Sequence, residues 1–114
     1  MEFDVAELSI QETYLRMVQL ITPRPIAWVS TLSVDGVPNL APYSFFSGVG
    51  ANPPTVCFAP ANNAKGRAKD TLENVRRTGQ FVVNVVTEPV AKAMNRSADD
   101  LASDINEFEV IGVE

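Results

Sequence analysis

The chain has no histidine anywhere in its 114 residues. That excludes Ser-His and Cys-His activation of a nucleophile, and every His-ligated zinc site. Any catalysis must use carboxylates, Lys, Tyr, or a cofactor that carries the hard chemistry itself. Cysteine is nearly absent as well. Cys57 stands alone, which rules out an internal disulfide and a multi-cysteine metal site and makes a cytoplasmic location the default expectation. In its apolar surroundings Cys57 reads as core filler rather than nucleophile. Basic residues are outnumbered, and a net charge of −5 argues against a nucleic-acid partner, which would need a basic face. No apolar run approaches the length of a membrane span. The start, Met1 to Ser9, is acidic and lacks the apolar stretch of a secretory signal. What remains is ordinary globular composition, 46% hydrophobic with 20% charged, in one small domain.

The unusual chemistry is concentrated between Pro23 and Ser47. Ile26 to Ser33 is apolar and β-branched, and Val37 to Tyr43 answers it across Asp35-Gly36, a pair that tolerates positive φ at both turn positions. A β-hairpin follows. Adjacent hydroxyls Ser30 and Thr31 must point to opposite faces of the first arm. Pro38 and Pro42 make the second arm an edge strand or a bulged one. The chain then leaves the sheet through Tyr43-Ser44-Phe45-Phe46-Ser47. On the residues alone this corner has two readings: the floor of a site for a flat aromatic ligand, or a core hairpin with buried phenylalanines. Arg24, held extended between Pro23 and Pro25, likewise reads either as a surface residue or as an anion contact.

Ahead of this segment, Ser9 and Glu12 form a capping-box pattern, and Ile10, Tyr14, Met17, Val18 and Ile21 share one face of a helix that Pro23 ends. That stripe is expected to lid the sheet. Beyond it, Gly48-Val49-Gly50 is followed by Pro53 and Pro54 where a phosphate-binding helix would start, so it is no dinucleotide fingerprint. Thr55 to Ala59 reads as a short buried strand. A second helix follows, with Asp70 to Glu73 as capping box, Ala68, Leu72 and Val75 as its apolar face, and Gly79 past its end. Arg76 and Arg77 suit the dipole of its last turn. Lys65, Arg67 and Lys69 precede it, where the dipole gives no reason for cations, and this reads as a phosphate cradle. Phe81 to Val86 is apolar on both faces and predicts a fully buried strand. A short helix spans Val90 to Asn95, an acidic linker begins at Asp99, and Phe108 to Ile111 predicts one more strand.

Three segments together, Arg24 to Thr31, Asn39 to Phe46 and Lys69-Asp70-Thr71, resemble the flavin reductase-like family of FMN-binding split-barrel flavoproteins. The likeness runs from the first helix through Val86. It implies a mainly β fold with flanking helices, a Greek-key split barrel, with residues 1–114 forming the N-terminal portion of the usual domain and the C-terminal part of the barrel missing. It also implies FMN as cofactor, NAD(P)H as electron donor and a homodimer with flavin near the interface. On this sequence the ribityl-phosphate arm falls to Ser30, Thr31, Lys69, Asp70 and Thr71, with Arg24 and Lys65 as further phosphate contacts. The ring edge falls to Ala41, Pro42, Tyr43, Ser44, Phe45, Phe46 and Ser47, with Trp28 nearby. Direct hydride transfer to a flavin needs no general base, which accords with the missing histidine. The implied function is an NAD(P)H-dependent flavin reductase; the alternatives are a flavin-binding electron carrier or a non-catalytic FMN-binding module. Members of the family are longer and often carry a Gly-Asp-His segment beside the nicotinamide. A shortened member is expected to complete its barrel with strands from another copy.

Overall fold

The computed structural model describes residues 2–62, 66–99 and 101–113. The Lys65 assignment therefore lies outside the described residues. Helix α1 (Ile10–Leu20) starts at the foreseen capping box: Ser9 Oγ accepts from the Glu12 N–H while Glu12 reaches back to Ser9 N. Its apolar stripe does not lid the sheet. Ile10 is 91% exposed, and Met17, Ile21 and Tyr14 are also exposed, Tyr14 meeting the Phe45 ring edge-on. What holds α1 is at its end: the Arg24 guanidinium donates through Nη1 to the carbonyls of Val18 and Ile21, at 2.7 and 2.8 Å.

Strands β1 (Ala27–Leu32) and β2 (Pro38–Tyr43) form the expected antiparallel hairpin. The turn is wider than the two-residue type that Asp35-Gly36 suggests. Gly36 alone takes positive φ (81°), and Ser33 N–H donates to Val37 O across a five-residue loop. Ser33 Oγ accepts from Asp35 N and Val37 N, so local side-chain bonding sets the loop. With β5 (Val82–Asn84) the sheet order is β2-β1-β5, with β2 at one edge as its prolines require.

Period-two alternation splits β1 between two cores. Ala27, Val29 and Thr31 face α2 (Asp70–Thr78) and the second hairpin, where Tyr43, Phe46 and Phe58 pack. Trp28 faces the other way, with Leu40 and Ile111. That second core is closed by α3 (Ala91–Arg96) and α4 (Glu107–Ile111). Helix α4 corrects the strand expected at Phe108–Ile111. Asn106 caps it by accepting from Phe108 N, and Ile111 sinks against Trp28, which an extended segment at the same place would not do.

Three further expectations change. Strand β3 (Phe46–Ala51), rich in Gly, was not foreseen; it pairs with β4 (Pro54–Phe58) in a separate two-stranded sheet. That hairpin stands off the main sheet, so β4 is mostly exposed rather than buried, and Cys57 is an exposed thiol rather than core filler. Strand β5 (Val82–Asn84) is short, and Phe81, Val82 and Val85 are exposed, because it pairs only with β1 and its other edge is open among the described residues. Finally, α2 starts one residue early. Lys69 is the N-cap but its side chain makes no capping bond, and Glu73 turns forward to Arg76 and Arg77 instead of closing a capping box. Its buried face is Thr71 and Asn74, not Leu72 and Val75.

Candidate functional site

The polar face of α2 meets a polar strip of the sheet. Thr71 is 1% exposed, and its hydroxyl oxygen accepts from Asn39 Nδ2 at 2.8 Å and from the Tyr43 hydroxyl at 2.9 Å. Asn74 Nδ2 donates to Thr31 Oγ1 at 3.0 Å, and Asn39 reaches the same oxygen at 3.4 Å. Thr31, Tyr43 and Thr71, three of the residues singled out from sequence, are thus members of one buried network. Its other members, Asn39 and Asn74, were not singled out as site residues. A satisfied network of this kind fixes the start of α2 against β2.

Beside it lies a narrow cleft of about 70 Å³ lined by Ala41, Pro42, Tyr43, Lys69, Asp70 and Thr71, with Ser97, Asp99 and Glu107 opposite. Glu107 is buried and accepts from the Leu40 N–H at 3.2 Å. Burial raises its pKa above the usual carboxylate value, and the nearby Asp70 carboxylate adds to the rise. Burial also raises the Tyr43 phenol; the Thr71 hydrogen bond opposes this, and Asp70 and Glu107 reinforce it. Sequence reading missed Glu107 because it sits in a segment read as linker and strand, and only the α4 fold turns it inward.

At Tyr43–Ser44 the chain passes from this cleft to a wider one of about 490 Å³, lined by Arg24, Ser44, Phe45, Phe46, Ser47 and Phe58. That volume lies within the range of small-molecule sites. Arg24 sits over the Phe45 ring, 5.6 Å from its centroid, and Tyr14 meets the same ring edge-on at 6.0 Å. The Arg24 Nε–H is buried and has no acceptor among the described residues. A guanidinium donor left unmatched beside two phenylalanines suits a flat aromatic ligand carrying an acceptor atom.

The remaining predicted residues lie elsewhere. Ser30 lines a cleft of about 580 Å³ together with Leu32, Phe81, Val82 and Phe108, which Thr31 of the network also borders. Ser30 Oγ accepts from Asn84 Nδ2 at 3.1 Å. Trp28 is buried on the opposite face of the sheet from Tyr43, and its Nε1 donates to Ser97 Oγ at 2.9 Å. The structure therefore gathers Arg24 and Ala41–Ser47 with Lys69, Asp70 and Thr71 around one corner, and leaves Ser30 and Trp28 away from it.

Residues 19–114 match the flavin reductase like domain. The chain belongs to that family. As a family member it is 42% identical to an uncharacterized protein of Aquifex aeolicus over 99% of this chain and 58% of that protein. It is also 39% identical to YwrF of Bacillus subtilis, over 93% and 51% of the two chains. Among solved structures it superposes on nitrilotriacetate monooxygenase component B from Bacillus cereus with a TM-score of 0.90 at 34% identity, covering 98% of this chain and 55% of that one. The 2-nitrobenzoate 2-nitroreductase NbaA of Pseudomonas fluorescens gives 0.82 at 35% identity, with 98% and 52% covered. A flavin reductase with split barrel domain from Shewanella frigidimarina gives 0.74 at 22% identity, which carries the fold alone. The fold is thus that of the split-barrel flavin reductases, and flavin-related oxidoreductase chemistry is the family's common ground. This member spans about half the length of the relatives it matches.

Proposed function

We propose that this chain is the FMN-binding portion of a cytoplasmic, NAD(P)H-dependent flavin reductase-like enzyme that works as a homodimer. The observation that carries the reading is the corner at Tyr43–Ser44, which joins a narrow polar cleft with Lys69 at its mouth to a wide aromatic one. FMN has the same two-ended chemistry, an anionic tail and a flat ring. When bound, it supplies hydride and electron transfer between nicotinamide and acceptor. The chain's own residues would position it. Lys69 and the backbone N–H groups of the first turn of α2 would hold the phosphate, with the Asp70 and Asp99 carboxylates of the same lining opposing them. Backbone groups of Ala41–Ser47 run along the ring edge, and Phe45 and Phe46 exclude water from one side. The dimer is supported by the exposed stripe of α1 and the open edge of β5, both of which present apolar surface.

The test begins with the absorption spectrum of the purified protein loaded with FMN, followed by anaerobic addition of NADH or NADPH. Bleaching of the bound-flavin bands is expected. Bound flavin that no nicotinamide bleaches would leave only a flavin-binding electron carrier or module, and failure to bind flavin would refute the whole reading. Lys69→Glu should weaken FMN far more than riboflavin, since only FMN carries the phosphate. Equal losses would refute the phosphate assignment.

A further inference from the structure

Among the described residues the two clefts of the corner hold two cations, Arg24 in one and Lys69 in the other, and the sequence resemblance puts both at the phosphate. We infer that Arg24 anchors the ring of the flavin, donating a guanidinium N–H to a pyrimidine carbonyl oxygen, and does not contact the phosphate. The inference rests on the flavin reading above.

Three observations carry it. First, the guanidinium is already fixed: Nη1 donates to Val18 O and Ile21 O, so the group cannot swing toward the cleft that holds Lys69. Second, Nη1 alone of the guanidinium nitrogens is hydrogen-bonded among the described residues, in a side chain that lines the aromatic cleft. The rest of the guanidinium can offer a ligand oxygen in the cleft a charge-assisted donor. Third, Arg24 is the one charged residue in the lining among the described residues, which is otherwise aromatic, hydroxyl, thiol and apolar. A phosphate dianion there would lose its hydration against a single, partly committed donor. A neutral ring carbonyl needs only one. Arg24 also lies over Phe45, which Tyr14 of α1 braces from the edge. The helix end, the guanidinium and the ring platform therefore form one rigid unit.

The experiment is a fluorescence titration of the wild-type protein and of Arg24→Lys with FMN, riboflavin, 2-thioriboflavin and 4-thioriboflavin. Sulfur accepts hydrogen bonds poorly, so one of the two thio analogues should bind wild type about tenfold more weakly than riboflavin. In Arg24→Lys, riboflavin and FMN should weaken by the same factor, about tenfold, and the oxygen-over-sulfur preference should collapse. A loss much larger for FMN than for riboflavin would make Arg24 a phosphate contact and overturn the inference. So would an oxygen preference that survives the substitution or is absent from wild type, a comparison that needs no variant to fold. Wild type that binds riboflavin and FMN not at all would instead sink the flavin reading itself.

Discussion

Replacing Thr71 by Val tests whether the buried network stabilises the site or merely occupies it. Valine keeps the shape of the side chain and removes only the hydroxyl. In wild type that oxygen accepts from Asn39 Nδ2 at 2.8 Å and from the Tyr43 hydroxyl at 2.9 Å. With it gone, Tyr43 has no acceptor, and Asn39 keeps only its 3.4 Å contact to Thr31. Each orphaned buried donor costs about 1–3 kcal/mol, and the added methyl returns about 0.8 kcal/mol of transfer energy. The net loss is therefore about 1–5 kcal/mol, a large share of a marginal stability of about 5–15 kcal/mol. For a domain of this size the midpoint should fall by roughly 5–20 °C. Thermal unfolding followed by the fluorescence of Trp28, the lone tryptophan, measures it directly. Thr71→Ser keeps the hydroxyl and should lose only about 1 kcal/mol for one methyl and its small void. If Val costs no more than Ser, water satisfies those donors and the network does not hold α2 in place.

Trp28→Phe removes the donor to Ser97 Oγ and leaves a void between the sheet and α4; urea unfolding by circular dichroism should show a loss of about 2–4 kcal/mol. Glu107→Gln keeps an acceptor for Leu40 N while removing a buried charge. Because burial raises the folded-state pKa of Glu107, its favourable contribution is present below the unfolded value of 4.5 and fades as pH rises through the higher folded value. The variant should accordingly melt higher than wild type at neutral pH, with the difference vanishing once the pH drops under 4.5; a constant difference would show that charge is not the cause. Cys57 is exposed on β4 and should react with a disulfide reagent in the native protein nearly as fast as in urea; strong protection would mean the second hairpin is covered in solution.

Local chemistry was legible in the sequence wherever it depended on neighbours along the chain. The Ser9–Glu12 capping box, the β1–β2 pairing, the edge position forced by Pro38 and Pro42, and the stop at Gly79 all follow from residues a few positions apart. The aromatic-hydroxyl corner was legible too, since Ser44 to Ser47 do line a cleft with Arg24. Apolar counting failed where the structure packs polar on polar. Leu72 and Val75 looked like the inner face of α2, yet Thr71 and Asn74 are inside because the sheet offers Asn39, Thr31 and Tyr43 as partners. It failed again at Phe81–Val86 and Thr55–Ala59, where apolar strands lie exposed for want of a covering layer.

Composition by itself settled what these 114 residues cannot supply: without histidine, and with one cysteine, the chemistry within them must come from a bound group or from ordinary carboxylates, amines and phenols. Only the folded chain decided which residues meet. Thr71 is drawn to Tyr43, Glu107 to Leu40, and Trp28 to the face opposite the corner, across separations of 28 and 67 positions for the two hydrogen-bonded pairs. Such pairings depend on the sheet's alternating faces and on desolvated polar groups finding one another, and a pattern read along the chain does not contain that information.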